Sequence, residues 1–129
     1  MTASSTTGTR YEVRERNARH GVWDRYLARW ETLGGGQDEM AEYDAKALAA
    51  ELNSQPISWH LDPTVARSAS WGRYMAEVWG TGDGDNTGWC VFAFGARNPA
   101  DAGSGTSLAD AERQAEAALR RLNEANAPA

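Results

Sequence analysis

Five arginines, Arg10, Arg14, Arg16, Arg25 and Arg29, are interleaved with Tyr11, Trp23, Tyr26, Leu27 and Trp30 in one short span of the chain. Guanidinium forks grip phosphate oxygens and aromatic rings stack on bases, so this span is a candidate nucleic-acid face. If Tyr11, Val13, Tyr26 and Trp30 turn inward, Arg10, Arg14, Arg16, Trp23, Arg25, Leu27 and Arg29 share the outer surface. The competing reading is structural: the arginines pair across strands with Glu12 and Glu31 on a solvated face. Charge weighs between the two. With Arg19, residues 10–29 hold six arginines against Glu12, Glu15 and Asp24, a net +3 that leaves −8 on the rest of a chain totalling −5. An acidic remainder opposes non-specific affinity for phosphates.

Other residues could do chemistry, and each lacks part of what that chemistry needs. Asp83-Gly-Asp85-Asn-Thr87-Gly88 opens like a calcium loop, with oxygen ligands at alternate positions and glycine at the sixth, but Phe94 stands where a bidentate glutamate belongs. A polar hairpin turn explains the same residues, and whether the turn takes a cation stays open. His60, Asp62 and Ser58 are close enough in sequence for a base, an orienting carboxylate and a nucleophile. No G-x-S-x-G elbow accompanies them, and two histidines in the whole chain leave little for general-base or metal chemistry. Cys90 follows Trp89 in an apolar run, where a buried, unreactive thiol is expected. The glycines at 80, 82, 84 and 88 miss the G-x-G-x-x-G spacing and carry aspartates that repel phosphate. The expectation is a protein that is not an enzyme and has no catalytic, cofactor-binding or metal site.

These residues need elements to position them. A chain of 129 residues suits one domain, and six tryptophans, four tyrosines and two phenylalanines supply apolar surface for a core. One cysteine excludes an intramolecular disulfide. No run of apolar residues is long enough to span a bilayer. Residues 1–9, rich in Ser and Thr, have neither a basic nor an apolar signal region and are expected to form a disordered leader. A cytoplasmic, membrane-free protein follows as the expectation. Twelve arginines against the single Lys46 reflect a GC-rich coding bias and not a mechanism.

Tyr11 and Val13 alternate with Arg10, Glu12, Arg14 and Arg16, the pattern of a half-wet strand. Asn17 to Gly21 is a turn. Residues 22–33 fit a strand and also a helix ending at Gly34-Gly35-Gly36; β-branched and aromatic content favours the strand. A helix is expected from about Glu39 to Leu52. Residues 54–72, with Pro56 and Pro63, are a linker by composition, packed across the core by Trp59, Leu61 and Trp71. Tyr74 to Trp79 alternates, Gly80 to Gly88 is a polar turn, and Trp89 to Phe94 is apolar throughout, as a central strand would be. Asn98 to Gly105 is expected to loop. Ser107 with Asp110 resembles a capping box, and Leu108, Ala111, Ala115, Ala118, Leu119 and Leu122 form one helical stripe, with Glu116 and Arg120 placed to pair. Gly103 to Ser107 before this alanine-rich stripe is similar, over about 20 residues, to the end of a double-stranded-RNA-binding domain. Leu108, Ala109 and Asp110 replace the lysines such domains place there, so the likeness implies no shared function.

The two halves align. Ala41, Ala45, Ala47, Leu52 and Asn53 fall on Ala111, Ala115, Ala117, Leu122 and Asn123. The expected fold is α+β: a tandem ββα repeat, residues 10–53 and 73–123 joined by a linker at 54–72, in one domain over 10–129. Its four strands would form one antiparallel sheet with both helices on one face. Trp23, Trp79 and Trp89 would then fall on the helix-free face and, with Leu27, make an apolar interaction surface suited to a homodimer. The expected function is a protein-interaction or regulatory module, with a nucleic-acid-binding accessory protein using the arginine hairpin as the alternative.

Overall fold

The computed structural model describes residues 9–32, 39–62, 65–80 and 87–128. They form an α+β protein with two antiparallel sheets, of three and five strands, and two helices. The chain divides into two compact units, one comprising Met1–Pro56 with Asn126–Ala129 and the other spanning Ile57–Ala125.

In the first unit, β1 (Tyr11–Arg16) and β2 (Arg19–Asp24) make a hairpin, and β3 (Arg29–Trp30) pairs with the other side of β2. The β1–β2 turn is two residues long, with Asn17 and Ala18 both left-handed at φ 50° and 65°. Such a turn matches the right-handed twist of the strands, although alanine carries a steric cost there that glycine would not. β2 ends where the Asp24 carboxylate accepts the backbone N–H of Tyr26 (3.0 Å) and Leu27 (3.2 Å), coiling residues 25–28 until Ala28, at φ 56°, releases them into β3. Helix α1 (Glu42–Ser54) places Glu42 and Asp44 in its first turn, against the positive end of the helix dipole. It packs Ala45, Ala49, Leu48 and Leu52 against Val22, Met40, Tyr11 and Val13.

In the second unit, β4 (His60–Leu61), β5 (Arg67–Trp71), β6 (Tyr74–Trp79), β7 (Gly88–Ala93) and β8 (Asp101–Ser104) lie in sequence order. Helix α2 (Leu108–Ala125) lays Ala111, Ala115, Ala118 and Leu119 on Ala69, Ala76, Val78, Trp89 and Val91. The small side chains bring helix and sheet close, and a Cβ at Gly105 would lie 2.7 Å from the Ala111 nitrogen. Ser107 caps α2 by accepting the Asp110 N–H, while Asp110 reaches back to the Thr106 N–H at 2.9 Å. That reciprocal bond, more than the neighbouring Gln114 and Arg113, holds the Asp110 carboxyl below the usual carboxylate range.

The expectation of one four-stranded sheet built from a tandem ββα repeat is therefore corrected. The run from residue 22 to 30 is neither one strand nor a helix, because the Asp24 turn splits it. The presumed linker carries two strands: Ala69 and Trp71 alternate with Ser68 and Ser70, and Gly72, at φ 64°, turns the chain into β6. The presumed loop at 98–105 carries β8. The helix alignment lands on a shared device instead. Asn53 accepts the Tyr11 N–H (2.9 Å) and donates to the Tyr11 carbonyl (2.8 Å). Asn123 accepts the Arg73 N–H (2.8 Å) and donates to the Trp71 carbonyl (2.7 Å). The expected Glu116–Arg120 pair gives way to other partners: Glu116 accepts the Trp59 indole N–H at 2.7 Å, and the Arg120 guanidinium lies 5.2 Å from the Trp71 ring centroid.

Two cross-strand pairs set tryptophan on glycine. Trp79 opposes Gly88, and Trp89 opposes Gly103. A Cβ at either glycine would meet the indole at 2.7–2.8 Å. The surroundings differ: Trp89 is 6% exposed and donates its indole N–H to Gln114 at 2.9 Å, whereas Trp79 is 40% exposed. Gly103→Ala is therefore expected to destabilise the protein by about 1–3 kcal/mol, as overpacking of an ordered core does, and Gly88→Ala by less, because Trp79 has room to swing aside. Urea unfolding of both variants checks this order.

Candidate interaction surface

The face of the three-stranded sheet away from α1 follows from register. Trp23 lies directly opposite Glu12 on one side and Trp30 on the other. The two indoles meet edge to face, with centroids 5.1 Å apart and planes at 74°. Arg14 lays its guanidinium 4.8 Å from the Trp23 ring centroid, and Arg16 lies 4.7 Å from that of Trp30. Arg16 reaches a ring two strands away because Gly21 stands between Arg19 and Trp23 on this face of β2, with no side chain in the path. The result is a row of two cations over two half-buried indoles, with each contact strengthened by the ring quadrupole. Glu12 pairs with Arg14, and Glu39 approaches Arg16 at 4.0 Å.

Of the expected nucleic-acid face, Arg14 and Arg16 stand on this surface. Arg10 does not. Its side chain is 11% exposed and grips Asp24, which is 0% exposed, through Nε at 3.0 Å and Nη2 at 2.9 Å. Its guanidinium also lies 4.9 Å from the Tyr11 ring centroid and 5.9 Å from that of Tyr26. Arg25 donates to the Thr9 carbonyl, and Arg29, exposed, sits opposite Asp24 near Glu31. Tyr11, Val13 and Tyr26 do turn toward the core side. Trp30 does not: it shares the outer face with Trp23. Sequence reasoning missed Trp30 on this face because the turn at 25–28 shifts the alternation of everything after it, and missed Arg19 because Asn17 to Gly21 reads as a turn, whereas β2 already begins at Arg19.

The expected apolar surface is also rearranged. Trp23 belongs to the cation–indole row. Leu27 sits half-buried in the 25–28 turn. Trp79 lies on the face of the five-stranded sheet turned away from α2, in register with Glu77, Cys90, Phe92 and Met75. Trp89 points the other way, into the α2 core, because β7 alternates and Trp89 is out of phase with Cys90 and Phe92. Burial, reinforced by Glu77, pushes the Cys90 thiol up and away from thiolate reactivity. Burial also raises the Tyr11 phenol, against the pull of Arg10.

His60 is exposed on β4 opposite Ser68. Of the calcium-like turn, residues 83–86 lie outside the described residues; Thr87 is buried and Gly88 begins β7. Among the described residues, no group of three or more His, Cys, Asp or Glu side chains converges as a metal site would require. No helix among them is long and apolar enough to cross a membrane.

Asp24 supports this surface from beneath. Asp24→Ala removes the bidentate carboxylate from a nearly buried guanidinium and the acceptor from the turn that aims Trp30. The expected cost is about 3–5 kcal/mol, as for one-sided loss of a buried ion pair. Tryptophan fluorescence during urea unfolding reads it. No protein-family description, curated protein or solved structure is significantly similar to this chain.

Proposed function

We propose that this chain is a non-enzymatic protein-interaction or regulatory module whose contact surface is the arginine–tryptophan face of the first sheet. The observation that carries the reading is the Trp23–Trp30 pair under Arg14 and Arg16. Tryptophan and arginine dominate the energetics of protein interfaces, and here their rotamers are already ordered by mutual packing, which lowers the entropic cost of docking. Two other arginines of the hairpin are withdrawn from phosphate binding. Arg10 is committed to Asp24 and Arg25 to the Thr9 carbonyl. A cytoplasmic location, with the single Cys90 in keeping, is part of this reading.

Mobility shifts with single- and double-stranded DNA and RNA, at low and moderate salt, separate this from the nucleic-acid alternative. The expected result is no tight complex. Binding that weakens steeply with salt, with a shallower slope in Arg14→Ala, would establish the alternative. Captured protein partners are expected to lose affinity for Trp23→Ala.

Self-association belongs to the second sheet in this reading. Met75, Trp79, Cys90 and Phe92 line up on the face turned away from α2, a mostly apolar strip interrupted by Glu77, of the kind homodimers cover. Sedimentation is expected to give a dimer that Trp79→Ala weakens; a monomer at high micromolar concentration overturns it.

A further inference from the structure

The edge of β1 is built to accept one more strand over part of its length only. The Arg25 N–H donates to the Arg10 carbonyl at 2.8 Å, which fixes the phase of the β1–β2 ladder. Arg10, Glu12, Arg14 and Arg16 bond to β2, and the backbone N–H and C=O of Tyr11, Val13 and Glu15 point the other way. β1 ends its sheet, so among the described residues no strand meets them. Tyr11 is closed by Asn53, whose side-chain amide pairs with its N–H and C=O as a neighbouring strand would. Among the described residues, Val13 and Glu15 have no such plug. α1 starts beside Met40, which bridges His20 on the far side of β2, and ends at Tyr11. It therefore meets this edge at the Tyr11 end, away from the hairpin tip.

A second copy of the chain fits this edge poorly. In antiparallel pairing about a two-fold axis, Val13 against Glu15 sets Arg14 directly opposite the second copy's Arg14. Glu15 against Glu15 opposes two carboxylates. Val13 against Val13 requires the Tyr11 groups that Asn53 already holds. Directly opposed like charges destabilise strand pairs. Charge complementarity points elsewhere. On the outer face, Arg14, Arg16 and Arg19 stand against Glu12 and the Glu39 that approaches Arg16, a net positive charge of one, and Arg14 and Arg16 are the two residues whose cross-edge neighbours a new strand would supply.

We propose that an extended acidic segment of another protein adds to β1 as an antiparallel strand between Glu12 and Arg16. The proposal rests on the interaction-module reading and names its partner chemistry. Read from its own N-terminus, the segment places an acidic residue against Arg16, a neutral β-former against Glu15, a second acidic residue against Arg14 and an apolar residue against Val13. The backbone of the neutral and apolar residues bonds to Glu15 and Val13. The two carboxylates meet the guanidiniums that cover Trp23 and Trp30. Main-chain bonds supply the affinity and alternate side chains the selectivity.

The test uses the full chain, labelled with nitrogen-15, and a synthetic blocked hexapeptide, Val-Asp-Thr-Asp-Val-Thr. Titration is expected to shift the Val13 and Glu15 amides and slow their hydrogen exchange. Methylating the peptide nitrogens of the central threonine and the following valine should weaken binding by at least about tenfold, because only strand addition uses those N–H groups. Glu15→Pro should do the same while keeping the hairpin, since the Glu15 N–H takes no part in the β1–β2 ladder and proline is tolerated on an edge. Absence of binding overturns strand addition and leaves the charges as guards against edge-to-edge aggregation. Equal binding of the methylated peptide, with shifts at Trp23 and Trp30 only, also overturns it but leaves the interaction face standing. Salt-steep binding of nucleic acid would instead remove the interaction reading itself.

Discussion

A single buried carboxylate organises the first unit. Asp24 is shut off from solvent, where an unpaired charge would cost several kcal/mol, and it is held by four donors: two from Arg10 and the backbone N–H groups of Tyr26 and Leu27. Each bond fixes something different. The guanidinium ties the approach to β1 against the end of β2. The two amide bonds bend the chain at 25–28. That bend sets which face Trp30 occupies, so the cation–indole row depends on a charge lying on the opposite side of the same sheet. Removing Asp24 loosens the surface without touching it.

A second constraint recurs in both units. Each helix carries near its end an asparagine whose amide pairs with sheet backbone, Asn53 with Tyr11 of β1 and Asn123 with Trp71 of β5 and Arg73 of the turn that follows. A primary amide presents a donor and an acceptor side by side, as a peptide group does, so it can stand in for a missing neighbour. At Asn123, which is buried, a further bond to the Leu119 carbonyl leaves little of the amide unsatisfied. The helices thereby choose the strand on which they finish, and their apolar stripes fall on the sheet.

Sequence patterns found some of this and hid the rest. The stripe of α2, its Ser107–Asp110 cap and the alternation of β1 and β6 are periodic signals that tertiary contacts did not override. The alignment of Asn53 with Asn123 pointed to a real device, yet the sheets around it differ. The strands it missed are short: β4 has only two residues, and β5 and β8 are built largely from Ser, Ala, Gly and Asp, which carry little β preference. Their pairing depends on packing against neighbouring strands more than on their own residue types: Gly103 lies against Trp89, which covers it. The row at Trp23 and Trp30 was half legible. Residue types and spacing gave Arg14, Arg16 and Trp23. Trp30 required knowing that Asp24 would act as a turn acceptor, and no local pattern distinguishes that from an ordinary exposed aspartate.

The side-chain bonds of Asp24 and Asn53 join residues between Arg10 and Asn53. Chain elongation runs at roughly 5–20 residues per second, while a hairpin closes in microseconds. By the time the ribosome reaches Ile57, every partner of Asp24 and of Asn53 has been made. The seconds spent translating the second unit exceed the time the first hairpin needs by several orders of magnitude. Vectorial synthesis can thus deliver a sheet whose buried charge is already neutralised before the five-stranded sheet begins to assemble.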